Sequence, residues 1–131
     1  MSDHPNAALA RDAYAAIAKG DLDALRGQLL ADDVVFHIPG HGPLGGDRHG
    51  KDEVLRFVAQ LNERTKGGLQ LEPYAILTND DYAAALVRVK GQREGKALQD
   101  TGVHVFRIAG GKIAERWSYP GDLYKTDDFF A

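Results

Sequence analysis

The spacing of the apolar residues changes once along this chain, and that change restricts the fold more than any other feature. Residues 6–19 and about 51–66 place apolar side chains three or four positions apart, as in helices that pack through one face. Beyond residue 68 the pattern alternates, as in half-buried strands. The alternating runs are 69–78, 82–93, 98–109 and 112–119. Helices followed by strands predict an α+β domain, with the helices packed on one face of the sheet.

Short breaks divide the alternating half, at 79–80, 94–96 and 110–111, and they favour tight antiparallel hairpins. Near the N-terminus, Asn6 is the expected N-cap of the first helix and Gly20 its end.

The remaining segments carry weaker patterns. Asp21 is expected to cap a short second helix through Leu30, and 34–38 reads as a strand. Residues 39–50 are predicted to be a loop, and 120–131 an aromatic tail.

Composition excludes several classes of protein. The 131 residues are expected to form one domain over 1–131, with 16 Lys and Arg against 19 Asp and Glu. That balance offers no basic surface for nucleic acid. The chain has no cysteine, which excludes disulfides and thiolate metal sites. No apolar run approaches the roughly 20 residues of a membrane span, and residues 1–5 show no secretory signal. We therefore expect a cytoplasmic protein without a membrane or nucleic-acid partner.

Strand parity singles out His104 as the main candidate for chemistry. Asp100, His104 and Phe106 share one face of their strand. A two-residue turn at 110–111 places Trp117 opposite His104, with Tyr119 on the same face, whereas a three-residue loop places Arg116 there instead.

An inward histidine is expected to be a neutral imidazole, because burial lowers its pKa. Such a group suits acid/base catalysis, and the alternative is a core histidine hydrogen-bonded to Asp100 or Tyr119. The adjacent aspartate pairs 32–33, 80–81 and 127–128 point in divergent directions and are assigned to caps and turns.

The opposite strand face is also apolar. Val103 and Val105 lie there, and a sheet that is apolar on both sides in so small a domain favours a homodimer.

Four segments carry a resemblance to a known family: YAAIAKGDLD (14–23), LADDVVF (30–36), GKDEV (50–54) and HVFRIAGGKIAERW (104–117). Together they resemble the nuclear-transport-factor-2-like superfamily, especially ketosteroid isomerases and SnoaL-like polyketide cyclases. The resemblance implies a cone in which three N-terminal helices pack on a strongly curved, mainly antiparallel sheet. It also implies an apolar pocket inside the cone and a dimer through the outer face of the sheet.

The resemblance can be tested against the roles that the isomerase needs. At the position of its carboxylate base this chain has Ile38, and at its helix-one tyrosine it has Ala13, with Tyr14 one place further. Its protonated acid falls on His104. A steroid isomerase of the usual mechanism is therefore not expected.

The cyclases are expected to use a pocket histidine with an aspartate, and His104 is the matching histidine. The resulting hypothesis is a pocket for a small apolar or aromatic metabolite, with cofactor-free cyclase, isomerase or dehydratase chemistry on His104. A non-catalytic binding protein of the same fold is the alternative. The expected substrate-binding residues are Tyr14, Ile38, Val89, Asp100, Trp117 and Tyr119.

No metal site is expected. Pro39 and Gly40 separate His37 from His41, and only Asp47 is available nearby to join them and His49.

Overall fold

The computed structural model describes residues 4–131, so residues 1–3, which entered the interpretation about a secretory signal, lie outside the described part. The helices are α1 (Pro5–Lys19), α2 (Leu22–Ala24) with a π-helical turn (Leu25–Leu29), α3 (Gly50–Thr65) and α4 (Leu123–Phe130). The strands are β1 (Leu30–Ile38), β2 (Gly46–His49), β3 (Gln70–Thr78), β4 (Tyr82–Arg93), β5 (Lys96–Ala109) and β6 (Lys112–Pro120). Within residues 4–131, no helix has the length and apolar character that a membrane span requires.

All six strands form one curved sheet in the order β2-β1-β6-β5-β4-β3. The β1–β6 pair is parallel and every other neighbouring pair is antiparallel. α1 lies against β3 and β4, and α3 lies against β1, so the apolar stripes of both helices face the same side of the sheet. This architecture confirms the α+β prediction and encloses the core between the helices and the sheet.

The start of α1 differs from the sequence-based expectation. His4, and not Asn6, is the N-cap, and its imidazole accepts a hydrogen bond from the Asn6 backbone N–H. Pro5 occupies the first helical position, where its missing N–H leaves no donor unsatisfied. Asn6 instead donates from its side chain to the carbonyls of Asn79 and Asp80, which ties α1 to the β3–β4 turn. Gly20 ends the helix in the left-handed conformation, as predicted.

Three other segments correct the sequence-based prediction. β1 begins at Leu30, so the second helix is shorter and the strand longer than predicted. The glycine-rich loop contains β2, which pairs with β1. The C-terminal residues form α4 instead of an irregular tail, because the Asp122 carboxylate accepts a hydrogen bond from Lys125 N–H and caps a new helix.

A bulge in β6 sets the register of the β5–β6 hairpin. Ile108 pairs with Ile113 as a two-residue turn requires, but Arg107 pairs with Glu115, so Ala114 has no partner. The extra residue reverses the parity of everything that follows it. His104 therefore lies opposite Ser118, and Trp117 lies opposite Val105 on the other face. The expectation that Trp117 and Tyr119 share the face of His104 is wrong.

The outer face of the sheet carries two apolar rows. One row crosses Leu77, Ala84, Val105 and Trp117, and the next crosses Ala75, Leu86, Val103 and Tyr119. Leu77 and Tyr119 are 65% and 55% exposed, and Leu86, Val103 and Val105 are half-buried. No helix in the described part of the chain covers these rows.

We propose that a second copy of the chain covers this outer face. Light scattering at micromolar concentration should give a dimer, and Val105→Glu should give a monomer with an unchanged circular dichroism spectrum, because a buried unpaired carboxylate is costly at an interface. Ala59→Glu, on the exposed side of α3, is the matched control and should stay dimeric. A strictly monomeric wild-type protein would remove the proposal.

Candidate functional site

A cavity of about 120 Å³ lies between the sheet, α3, the 39–45 loop and α4. An engineered cavity of roughly 150 Å³ accepts benzene in another protein, so this cavity suits a ligand about the size of one ring. Most of its wall is apolar: Ile38, Leu44, Phe57, Leu61, Leu69, Leu71, Val89, Leu98 and Phe130. Its polar side chains come from β5, β6 and α4: Asp100, Thr101, His104, Arg116, Ser118, Thr126 and Asp127.

Three buried side chains form a contiguous cluster at one part of this wall. The Tyr14 hydroxyl lies 2.7 Å from Nδ1 of His104 and shares a hydrogen bond with it. Nη2 of Arg116 lies 3.1 Å from both ring nitrogens of His104, so it can donate to whichever nitrogen carries the lone pair. α1 supplies the tyrosine, β5 the histidine and β6 the arginine. The Tyr14 ring also stacks on the imidazole, with 5.7 Å between centroids.

Burial determines the charge state of this cluster. Burial, and secondly the Arg116 guanidinium, hold the pKa of His104 well below its ordinary value, so the imidazole is neutral. Burial also raises the pKa of Tyr14 to about 12, which keeps its hydroxyl protonated. The pKa of Arg116 is lowered by burial too, but a guanidinium starts so high that it keeps its charge. The cluster is therefore one cation with two neutral partners.

The surroundings of Arg116 are unusual for a buried charge, since the residue is only 5% exposed. Its guanidinium lies 5.1 Å from the Phe36 ring centroid and 6.0 Å from that of Phe106. Among residues 4–131 no carboxylate forms an ion pair with it, and its Nε has no hydrogen-bond partner. Within the described residues, the positive charge of Arg116 is therefore stabilised by two aromatic faces and one imidazole.

Two carboxylates also line the cavity. Asp100 accepts a hydrogen bond from the backbone N–H of Asp122, and Asp127 accepts one from the backbone N–H of His41. Asp100 precedes His104 by four residues on the same strand, a rise of about 13 Å at 3.3 Å per residue. The cavity therefore has a donor-rich end at Arg116 and an acidic end near Asp100.

α4 closes the cavity at the acidic end. Arg64 donates to the carbonyl of Phe130, Arg93 to that of Phe129, and Lys96 to that of Asp128. Cations at a helix C-terminus satisfy its free carbonyls and complement the helix dipole. These contacts hold Thr126, Asp127 and Phe130 in place as part of the wall.

The predicted site residues divide into three groups. Ile38, Val89, Asp100 and His104 line the cavity. Tyr14 lies behind His104 and contacts the imidazole, not the main cavity. Trp117 and Tyr119 do not contribute to this cavity, because the bulge at Ala114 turns them to the outer face.

On that outer face Trp117 stacks on His37, with 5.5 Å between ring centroids. His37 is hydrogen-bonded to Glu115 at 2.5 Å and to Asp47 at 3.0 Å. The hydrogen bond to Glu115 is the main cause that raises the pKa of His37. Within residues 4–131 no three His, Asp or Glu side chains are grouped as a metal site would require.

Of the polar side chains in the cavity wall, the sequence predicts Asp100 and His104 and misses five, of which Arg116 and Asp127 are charged. The sequence places Arg116 on the inner face only if the turn has three residues. In the structure the turn has two residues, and the bulge at Ala114 directs Arg116 inward. Asp127 was assigned to a turn, yet Thr126, Asp127 and Phe130 share one side of α4 and line the cavity. Asp127 lies four residues after Leu123 and three before Phe130, and this helical spacing was the signal that could have placed it on the inner side of a helix.

Comparisons with known sequences agree with this architecture. Residues 10–116 match the family model described as the SnoaL-like domain. An uncharacterised protein of Mycobacterium tuberculosis is 30% identical over 132 residues, which covers the whole of both chains.

Solved structures agree as well. Bal32a, from a soil-derived mobile gene cassette, is 26% identical and covers 97% of each chain, with a TM-score of 0.92. IdmH from Streptomyces antibioticus, described as a proposed polyketide cyclase, is 22% identical, with a TM-score of 0.76. That alignment covers 90% of this chain and 93% of IdmH, and at this identity it concerns the fold alone.

The neutral state of His104 predicts a specific loss of stability in acid. Below pH 6.5 the unfolded chain binds a proton at this residue and the folded chain does not, so stability falls as pH falls. The slope from one such group is at most about 1.4 kcal/mol per pH unit. His104→Gln should remove that slope, as measured by urea unfolding of both proteins between about pH 5 and pH 8.

His37 provides the opposite test in the same experiment. Its pKa is raised in the fold, so its stabilisation is fully present below pH 6.5 and is lost as pH rises through the folded value. His37→Gln should therefore cost more stability at the acidic end of the range than at the basic end. The assignments fail if the two variants show the same dependence on pH.

Proposed function

Because this chain belongs to the SnoaL-like domain family, we propose that it acts on a small, largely apolar, ring-sized metabolite as a cofactor-free enzyme of the cyclase or isomerase type. One observation carries the proposal: a neutral histidine in the wall of an apolar cavity, hydrogen-bonded to a buried tyrosine and approached by a buried arginine. Such a cluster can move a proton or stabilise a developing negative charge. IdmH, which shares this fold, is itself described as a proposed polyketide cyclase, and this agrees with the proposed class of reaction.

The chemistry that fits the cluster is the formation of an enolate beside a carbonyl group. A carbonyl oxygen placed near Arg116 and His104 would gain negative charge in the transition state, and a fixed cation in an apolar site stabilises that charge strongly. The neutral His104 supplies an N–H without adding a second positive charge. The same enolate begins both an isomerisation and a carbon–carbon ring closure.

Removal of the carbon-bound proton needs a base at the other side of the substrate. Asp100 is the proposed base, because it lines the same cavity and follows the parity of His104 along β5. For this transfer the acidic carbon, which is bonded to the carbonyl carbon, has to lie on the side of the carbonyl that faces Asp100, with the ring against the apolar wall. Asp127 is the second carboxylate in the wall. It accepts a hydrogen bond from the 39–45 loop, so its proposed role is to hold that loop against α4.

The geometry also favours a second candidate, a non-catalytic binding protein. The guanidinium within 3.1 Å of the imidazole disfavours a charged His104, which weakens the residue as a base. In that case the cluster would recognise a ligand oxygen without turnover.

The cytoplasmic location expected from the sequence stays a prediction.

Steroid isomerisation is not expected from this cavity. Ile38 lines the wall where the isomerase has its base, and a volume of about 120 Å³ is too small for a four-ring substrate. The wild-type protein should not shift the double bond of a 5-ene-3-ketosteroid, as followed by absorbance of the conjugated product. Wild-type turnover would show that another base serves this position. Ile38→Asp restores only the missing base and is expected to stay inactive for the same reason of size.

A direct test of the enzyme proposal uses phenylacetone, which has one ring and an acidic carbon beside its carbonyl. In heavy water the wild-type protein should accelerate deuterium exchange at that carbon, as followed by proton NMR. His104→Phe, which removes the N–H donor, should lower the rate by about 10²–10³-fold, the usual contribution of one donor to a developing oxyanion. Asp100→Asn should abolish the acceleration, because its amide cannot accept the proton.

Arg56→Gln is the matched control, since Arg56 is exposed on α3 away from the cavity, and it should exchange at the wild-type rate. Binding of phenylacetone is measured in parallel through the NMR signals of cavity residues. Binding without faster exchange in the wild-type protein would remove the enzyme proposal and support the binding protein instead.

A further inference from the structure

The cluster at the inner end of the cavity holds more hydrogen-bond donors than acceptors. Arg116 has five N–H groups, Tyr14 one O–H and neutral His104 one N–H, which makes seven donors. The cluster's side chains offer only one free imidazole nitrogen and the tyrosine oxygen as acceptors. The surplus is independent of which imidazole tautomer is present. Of the guanidinium nitrogens, only Nη2 has a hydrogen-bond partner within residues 4–131.

Several other arginines and lysines of this chain have a carboxylate or a backbone carbonyl as partner. Lys51, which is partly buried, lies 3.0 Å from Asp32, and Arg107 lies 3.2 Å from Glu115. Arg93 is largely buried as well, but it donates to the carbonyls of Phe129 and Ala131. Arg116 is buried without a described carboxylate or carbonyl partner, and it lines the cavity.

We propose that the ligand of this cavity carries an anionic oxygen, either a carboxylate or the oxygen of an acidic enol or phenol, and that Arg116 binds it. The inference rests on the proposed small-molecule function of the same cavity and specifies the chemical class of its ligand. A carboxylate or phenolate oxygen accepts hydrogen bonds only, so it matches the surplus of donors. It also compensates the buried charge that the described protein residues leave without a counter-ion.

The arrangement of the cavity orients such a ligand. Arg116 of β6 pairs with Phe106 of β5. Along β5 the order is Asp100, His104 and Phe106, so the acidic end of the cavity at Asp100 is the end remote from the guanidinium. An anionic group is attracted to the first end and repelled from the second. The ring of the ligand would then lie against the apolar wall between them.

Benzoate and benzamide provide the test, because they have nearly the same shape and differ in charge. Binding is measured by NMR titration of the wild-type protein through the signals of His104 and other cavity residues. Benzoate should bind at least about tenfold tighter than benzamide, since charge-assisted hydrogen bonds to arginine are the stronger kind. Titration of 4-nitrophenol above and below its own pKa separates a phenolate ligand from a carboxylate ligand.

Arg116→Met tests the residue that is responsible. It should lower the affinity for benzoate far more than the affinity for benzamide, so that the preference for benzoate disappears. Arg116→Lys should keep part of the preference, because it retains the charge but loses the planar fork. Arg56→Met is the matched control and should retain the wild-type preference.

Each outcome of this experiment decides the inference. Equal binding of benzoate and benzamide to the wild-type protein overturns it, while the small-molecule function stands. Binding of neither compound overturns both proposals. A wild-type preference for benzoate that survives in Arg116→Met assigns the anion to another residue and also overturns the inference. The wild-type comparison needs no variant, so it remains decisive even if Arg116→Met does not fold.

Discussion

The unpaired residue Ala114 in β6 determines what the cavity can do. If Ala114 were paired with Arg107, the hairpin would keep the register of its two-residue turn, and the indole of Trp117 would face the helices in place of the guanidinium of Arg116. The bulge turns Arg116 inward beside Phe36 and Phe106 and leaves Trp117 to stack on His37 outside. Because Ala114 is bulged out and not paired, this part of the cavity wall is cationic instead of aromatic.

The inward arginine is a cost to the fold that other contacts reduce. A buried charge that has lost its partner typically destabilises a protein by about 3–5 kcal/mol. A desolvated cation–π contact contributes about 2 kcal/mol, so two aromatic faces offset much of that penalty. The contact with neutral His104 reduces it further. An apolar residue at this position would fill the space at lower cost, which favours a role for Arg116 in ligand recognition over a role in stability.

The sequence predicted most of the architecture because periodicity reports which face of an element is buried. Leu9, Ala13 and Ile17 on α1 and the alternation along β4 and β5 were sufficient for the helices, the antiparallel hairpins and the inward direction of His104. Three features depend on contacts that periodicity does not contain. His4 replaces Asn6 as the cap because Asn6 is bound to the β3–β4 turn, α4 forms because Asp122 caps it, and the bulge at Ala114 depends on pairing with both β1 and β5. Turn length alone therefore predicted the wrong partner for His104.

The cavity and the outer apolar face lie on opposite sides of the same two strands, so a change in the backbone of these strands affects both. His104 and Arg116 point inward from β5 and β6, while their neighbours Val105 and Trp117 point outward. A second copy that covers the outer rows would hold the backbone that carries both inward side chains. Because a guanidinium must be placed within a fraction of an ångström to form two hydrogen bonds to one ligand oxygen pair, a fixed backbone behind it improves recognition. In the proposed dimer, the same constraint would give the apolar outer face a role in the site as well as in assembly.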